Sequence, residues 1–308
     1  MSFTFSQKKI KKLFAQRKLE DPDLINDIDL IFKKKRNFVV KIPNAGEAVI
    51  LLVSGGLDSI ILWSFLIEEY QLQVYPIFFR RGQRRVAFEE SAVDFYSDLF
   101  KKKYPNFWHP VKKMNAFIPP MEIRFPITIA SQNPIGNKGQ WRSIPVYSNL
   151  LFSYACQYGY YLELVEKIHT RTIFGGFMYS DGLVMKEETL TAMRAVNLSL
   201  CMLTDDFSWQ VIALPIEKEL GFAHDKHHFV GWANQHQLPL KKTRSCIMWN
   251  KHHCGNCISC HVRQVAFKKA GLEDETFYIN KHGIKARSNY FYRQLKLKIK
   301  RVVKKVLK

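Results

Sequence analysis

From residue 48 onward the chain alternates short apolar runs, rich in β-branched and aromatic residues, with longer stretches whose apolar positions recur at helical spacing. The runs predict strands at 48–53, 74–79, 172–175 and 211–214, with a further one near 107–111. The stretches between them predict helices at 59–70, 86–103, 146–167, 187–203 and 226–237. Strands alternating with helices build a sheet covered on both faces, so the expected fold is α/β with a doubly wound, mostly parallel sheet. Residues 1–45 hold eleven Lys and Arg and read as a basic, partly helical N-terminal extension. Residues 115–144, with Pro119, Pro120, Pro126 and Pro134 among small polar residues, read as a long irregular insertion of the kind that forms lids or binding loops. There is no internal repeat.

At 308 residues and 47% hydrophobic content the chain can pack one large core or two modest ones. It has no run near the ~20 apolar residues of a membrane span and no apolar signal core at its start, which predicts a soluble, cytoplasmic protein. The net charge of +20 is unevenly placed, since residues 281–308 carry eleven Lys and Arg and no Asp or Glu, with Tyr290, Phe291 and Tyr292 among them. Leu295, Ile299, Val302, Val303, Val306 and Leu307 fit a helical stripe in that tail. Nucleic acid, an acidic protein face and anionic lipid are the partners such a tail suits; a solvated tail that only aids solubility is the equal alternative.

The first run ends in Ser54-Gly55-Gly56-Leu57-Asp58-Ser59, at the start of a helix. Two adjacent glycines let the backbone curl until successive N–H groups point at phosphate oxygens, and the helix start adds its positive dipole end. Ser54 and Ser59 add hydroxyls. The segment resembles the PP-loop of the ATP pyrophosphatases, Ser-Gly-Gly-x-Asp-Ser, which cleave ATP between the α and β phosphates; the Walker A lysine is absent. The plain alternative is a βα turn that happens to hold two glycines.

Cys246, Cys254, Cys257 and Cys260 fall within fifteen residues, the last three spaced C-x2-C-x2-C. Four thiolates so close together suit tetrahedral zinc, and a reducing compartment argues against disulfides. His252, His253 and His261 are the competing ligands. Cys156 and Cys201 sit in apolar, helical context and read as small core residues.

The order of parts is similar to the 7-cyano-7-deazaguanine synthase family, called QueC, over about residues 46–272. Gly82-Gln83-Arg84 matches that family's Gly-Gln-Arg, and Ile144-Pro145 through Asn149 resembles its Val-Pro-Gly-Arg-Asn. Lys226 lies twenty residues before Cys246, and Thr243, Ser245 and Cys246 fall where the family has Thr-Trp-Ser-Cys. The resemblance implies an adenine nucleotide α-hydrolase (PP-loop) fold with a C-terminal four-cysteine zinc loop and helical tail. It divides the chain into the extension at 1–45, a pyrophosphatase domain at 46–240, a zinc loop and helix at 241–275 and a basic tail at 276–308. It also implies an ATP-dependent carbon–nitrogen ligase. ATP activates the carboxylate of 7-carboxy-7-deazaguanine, ammonia attacks the adenylate, and a second ATP-dependent step dehydrates the amide to a nitrile. Carried over to this chain, Ser54, Gly55, Gly56, Leu57, Asp58 and Ser59 bind the phosphates and help place Mg²⁺, with Asp58, Lys226 and Arg84 as the catalytic candidates. Lys226 and Arg84 can each also be read as a surface charge, Arg84 the more readily because it sits in the run Arg80 to Arg85.

Three departures bear on the product. The family's Asp-Tyr before Gly-Gln-Arg is Arg80-Arg81, its Trp before Ser-Cys is Arg244, and its base-reading Asp-Tyr-Ser-Gly-Tyr-Pro-Asp survives only as Met178-Tyr179-Ser180-Asp181-Gly182. One carboxylate can accept both adjacent N–H donors of a guanine-like ring, so a lost aspartate matters; Asp181, Glu187 and Glu188 are the substitutes, or ordinary helix-start acids. These changes and the basic flanks favour transfer of the activated acid to an amine on a partner protein, as in QueC-like members of anti-phage defence systems. Ammonia as acceptor is the nearly even alternative. An RNA-modifying PP-loop enzyme and a non-catalytic zinc module that binds nucleic acid complete the set.

Overall fold

The computed structural model describes residues 3–120, 122, 146–183, 185–248 and 251–280. Most of the 115–144 insertion and the whole tail from 281 lie outside the described residues.

Five strands form one parallel sheet in the order β3-β2-β1-β4-β5: β1 (Ala48–Val53), β2 (Gln73–Arg80), β3 (Lys112–Asn115), β4 (Thr172–Phe174) and β5 (Gln210–Ile212). The central strand β1 reads AVILLV because both of its faces are covered, and Val49, Ile50 and Leu51 have no exposed surface. Helices α3 (Leu57–Tyr70), α4 (Val86–Lys103), α5 (Tyr147–Leu164), α6 (Leu190–Thr204), α7 (Lys226–Gln235) and α8 (Ile258–Lys269) complete the α/β body.

The strand expected near 107–111 is displaced. Residues 104–108 instead turn back on the end of α4, with the Phe107 and Trp108 N–H groups donating to Tyr104 O, and Pro110 has no N–H to give a ladder. Only Trp108 bridges to β2, at Val74, and the paired strand begins at Lys112.

The N-terminal residues are packed into the body. Helix α1 (Gln7–Phe14) buries Ile10, and α2 (Pro22–Arg36) buries Ile25, Ile28 and Phe32. Helix α2 starts where Asp21 Oδ1 accepts from Leu24 N–H at 3.0 Å with Pro22 just inside, and it stops at Asn37 in the left-handed conformation. Asp29 of α2 and Glu217 both bond the fully buried Arg194 of α6, at 2.6 and 2.7 Å.

Candidate active site

Successive strands step outward from β1 to β2 and β3 on one side, then resume as β4 and β5 on the other. The crevice beyond the carboxyl ends of strands at such a reversal is where open α/β sheets bind ligands. Here β1 delivers Ser54–Ser59 and β4 delivers Gly175 and Gly176. A Cβ on Gly176 would stand 3.4 Å from Ser59 N, so the two segments meet closely at the N-terminus of α3. Gly55 has φ +70°, and a Cβ there would lie 2.4 Å from Glu89 O; only glycine fits both the dihedral and the space. Within the loop, Ser54 N–H donates to Ser59 Oγ at 3.1 Å and Gly56 N–H to Ser54 Oγ at 3.3 Å.

Lys226, first residue of α7, reaches this loop because α7 packs against α3. Its Nζ lies 2.6 Å from Asp58 Oδ2 and 3.3 and 3.2 Å from the two oxygens of Asp181. Burial works against the ammonium, yet Asp58 and Asp181 together hold it well above the ordinary lysine range, so Lys226 is a permanent cation. Burial pushes the Asp58 carboxyl up and Lys226 counters it. Asp58 Oδ1 is buried and has no hydrogen-bond partner among the described residues. An open carboxylate oxygen beside a phosphate loop fits a Mg²⁺ ligand.

The segment that departs from the family pattern lies against this cluster. Asp181, expected as a base acceptor, is engaged by Lys226 and by Met178 N–H at 3.0 Å. Glu187 accepts from Ser148 N–H at the start of α5, at 3.3 Å. Glu188 is raised to about 8 by burial and by the neighbouring Asp181, so near neutral pH it holds a proton and can both donate and accept.

The N-terminal segment braces this loop, which sequence reasoning missed. Leu13 O accepts from Tyr179 OH at 2.6 Å, Leu19 O from Lys186 Nζ at 2.7 Å, and Glu20 caps α6 through the N–H groups of Leu190 and Thr191 at 2.9 and 2.8 Å. Arg17, 2% exposed, pairs with Glu20 at 3.2 Å and sits where a side chain at Gly182 would be: a Cβ there would lie 1.6 Å from Arg17 Nη2. Nothing local in the first 21 residues signals this, because the contacts with the loop and with the start of α6 are made to residues more than 150 positions away.

Of the cations expected at the site, Arg84 is exposed on the turn before α4 and makes no ion pair among the described residues. The residue that organises this turn is Glu89, which is 3% exposed. It accepts from Gln83 Nε2 at 2.8 Å and Arg81 Nη2 at 3.3 Å, and pairs with Arg85. The arginines that depart from the family are likewise engaged. Arg80 bonds Glu90 through two nitrogens, at 3.0 and 2.6 Å, and Arg244 Nη2 donates to Met248 O at 2.7 Å.

The Sγ atoms of Cys246, Cys254, Cys257 and Cys260 lie within 4.8 Å of one another, with Cys254–Cys260 at 4.0 Å and Cys246–Cys257 at 3.9 Å. Ligands about 2.3 Å from a tetrahedral zinc would be about 3.8 Å apart, so the set fits a metal. Backbone N–H groups of Met248, Asn256 and Cys260 point at three of the sulfurs at 3.4 Å, as thiolate acceptors require. His253 is turned away from the sulfurs' role: its Nε2 accepts from Ser245 N–H at 3.1 Å, and burial lowers it to about 3. The cluster is coupled to the phosphate loop. Arg263 of α8 bonds Thr243 Oγ1 at 2.5 Å and Leu240 O at 3.0 Å, and Arg244 N–H donates to Gly55 O at 2.7 Å. Cys156 and Cys201 are buried core residues whose thiols burial pushes up to about 12 and about 11.

A parallel sheet reversing beside a Ser-Gly-Gly-Leu-Asp-Ser loop, with a lysine and two carboxylates at its mouth, defines an enzyme of the PP-loop, ATP-dependent class. Residues 48–271 match the family model described as queuosine biosynthesis protein QueC, and the chain belongs to that family. It is similar to the 7-cyano-7-deazaguanine synthase of Desulfitobacterium hafniense (strain DSM 10664 / DCB-2), 28% identical over 239 residues that cover 76% of this chain and 94% of the relative. The synthase of the same name from Methanococcus aeolicus is 27% identical over 246 residues, covering 75% and 98%. Among solved structures, the U34-tRNA thiolase NcsA from Methanococcus maripaludis, with its 4Fe-4S cluster, overlaps 80% of this chain and 74% of its own at TM-score 0.36 and 12% identity. No helix among the described residues is long and apolar enough to cross a membrane.

Proposed function

We propose that this enzyme makes 7-cyano-7-deazaguanine from 7-carboxy-7-deazaguanine, ammonia and ATP. The observation that carries the reading is the meeting of Lys226 with Asp58, 168 positions earlier in the chain, within a family match that runs from the phosphate loop past the four cysteines. The relatives are named for the nitrile product, and so the transfer to a protein amine expected from the sequence gives way to ammonia as acceptor.

The residues divide the work. Backbone N–H groups of the 54–59 loop and the N-terminus of α3 hold the phosphates of ATP. A carboxylate oxygen of the substrate attacks the α-phosphorus and the β–γ pyrophosphate leaves, its growing charge met by the Lys226 ammonium. Asp58 Oδ1 would hold Mg²⁺, which when bound would further neutralise the phosphates. Ammonia then displaces AMP to give the amide, and a second ATP activates the amide oxygen, which departs with AMP as the nitrile forms. Glu188, protonated near neutral pH, pairs with the ring's donor and acceptor edge. Cys246, Cys254, Cys257 and Cys260 would hold zinc, which would cross-link the loop whose Arg244 N–H donates to Gly55 O.

The test is mass spectrometry of nucleotide and base after incubation with Mg²⁺-ATP and 7-carboxy-7-deazaguanine, with and without ammonium. Acid-dependent AMP together with amide and nitrile supports the proposal. AMP without either base product would refute ammonia as acceptor and reopen a protein or RNA amine.

A further inference from the structure

Arg17 lies between α1 and α2, ahead of residue 48 where the family match begins. Its side chain is buried in the body, and none of its three guanidinium nitrogens has a hydrogen-bond partner among the described residues. The rings of Phe14 and Tyr179 flank it, with centroids 5.3 and 5.0 Å from the guanidinium carbon, and Glu20 at 3.2 Å supplies its only ion pair among the described residues.

Stability does not account for such a group. A buried guanidinium without hydrogen bonds is costly, and an apolar side chain of similar length would fill the space between the two rings without that cost. Glu20 does not need it either, because Glu20 Oε1 already accepts from Leu190 N–H at 2.9 Å and Oε2 from Thr191 N–H and Oγ1 at 2.8 and 2.6 Å. A buried polar group left unpaired in a folded chain calls for a reason other than packing.

That reason lies in what Arg17 faces. The space over Gly182 is shared by Arg17 Nη2 and Glu188 O, so the guanidinium sits against both ends of the 182–188 stretch. Its positive charge also reaches Asp181 and Asp225. Asp181 holds Lys226, while Asp225 accepts from Ser180 N–H at 2.8 Å and stands directly before α7. One fixed cation attracting these two carboxylates draws the loop against the start of α7. We propose that Arg17 is a positioning residue for the base: its charge fixes the 178–188 loop that carries Glu188, and so sets affinity for the deazaguanine acid while adding nothing to stability. The proposal rests on the assignment of that loop to the base in the proposed function.

The test uses the full chain and two variants. Arg17→Met keeps the length and removes the charge, whereas Arg17→Lys keeps the charge and removes the planar fork. Each is titrated calorimetrically with 7-carboxy-7-deazaguanine, beside thermal melting and the AMP-release assay. Arg17→Met is expected to bind the acid at least about tenfold more weakly, with KM for ATP within about twofold of the parent's and Tm equal to or above it. Arg17→Lys is expected to recover most of the affinity. Unchanged affinity in Arg17→Met would overturn the proposal, and so would a Tm that falls in step with affinity in both variants, which makes Arg17 merely structural. A parent protein that binds the acid but releases no AMP would strike the proposed function alone, with Arg17 still judged on affinity. A parent that does not bind the acid would strike both.

Discussion

Lys226 Nζ stands 2.6 Å from Asp58 Oδ2, so the start of α7 and the start of α3 share one ion pair at the mouth of the phosphate loop. Because Asp181 also holds Lys226, loss of either carboxylate leaves the ammonium with one partner.

Asp58→Asn is therefore expected to fold with the same zinc content as the parent protein, while AMP release falls by about 10²–10³-fold, the scale of losing one preorganised electrostatic group. Steady-state AMP formation and metal analysis on the same preparation check it. Unchanged turnover would remove the loop carboxylate from the mechanism.

Gly182→Ala places a methyl group 1.6 Å from Arg17 Nη2 and 2.7 Å from Glu188 O. The brace and the loop must separate, with an expected cost of about 1–3 kcal/mol in stability. Thermal melting and initial rates should show a lower Tm and a raised KM for the base, with the KM for ATP nearly constant. Equal changes in both KM values would show that the loop does not face the base.

Glu188 sets a pH dependence. Its folded value of about 8 lies above the ordinary 4.5, so the stability it contributes is complete below about 4.5 and is lost as pH rises through 8. Glu188→Gln keeps the neutral form throughout. Melting curves from pH 5 to 9 should show the parent protein losing Tm relative to the variant as pH rises. Parallel curves would mean that Glu188 titrates as an ordinary carboxylate.

Cys257→Ser leaves three sulfurs and should lower both bound zinc and Tm. Because Arg244 N–H holds Gly55 O at 2.7 Å, ATP affinity should weaken as well, which separates a coupled metal from a remote one. Elemental analysis with ATP titration decides this; intact metal content would refute the ligand assignment.

The parts legible in the sequence are those whose chemistry is contiguous. Ser54–Ser59 shows its phosphate-binding character within six residues, since glycine pairs and a helix start act locally, and the four cysteines declare themselves by spacing. Four of the five strands stand where their β-rich runs predict, because a strand covered on both faces must be apolar along its length. The remaining strand, β3, reads KKMN and is scarcely apolar, so its place at the sheet edge comes from pairing with β2. Asp181 was visible as a candidate but its engagement with Lys226 was not. Glu89 looks like any first-turn acid of a helix until Gln83, Arg81 and Arg85 converge on it.

By itself, then, the sequence determined the fold class, the phosphate loop, the cysteine set and the family resemblance, all properties of local residue order. Tertiary structure decided which charges meet. Lys226, Asp58 and Asp181 meet only because the sheet reverses between β1 and β4, and Arg17 packs against Gly182 only because residues 3–21 fold back across the body. Ion pairs between residues some 45 to 170 positions apart depend on chain path, and no local pattern encodes them.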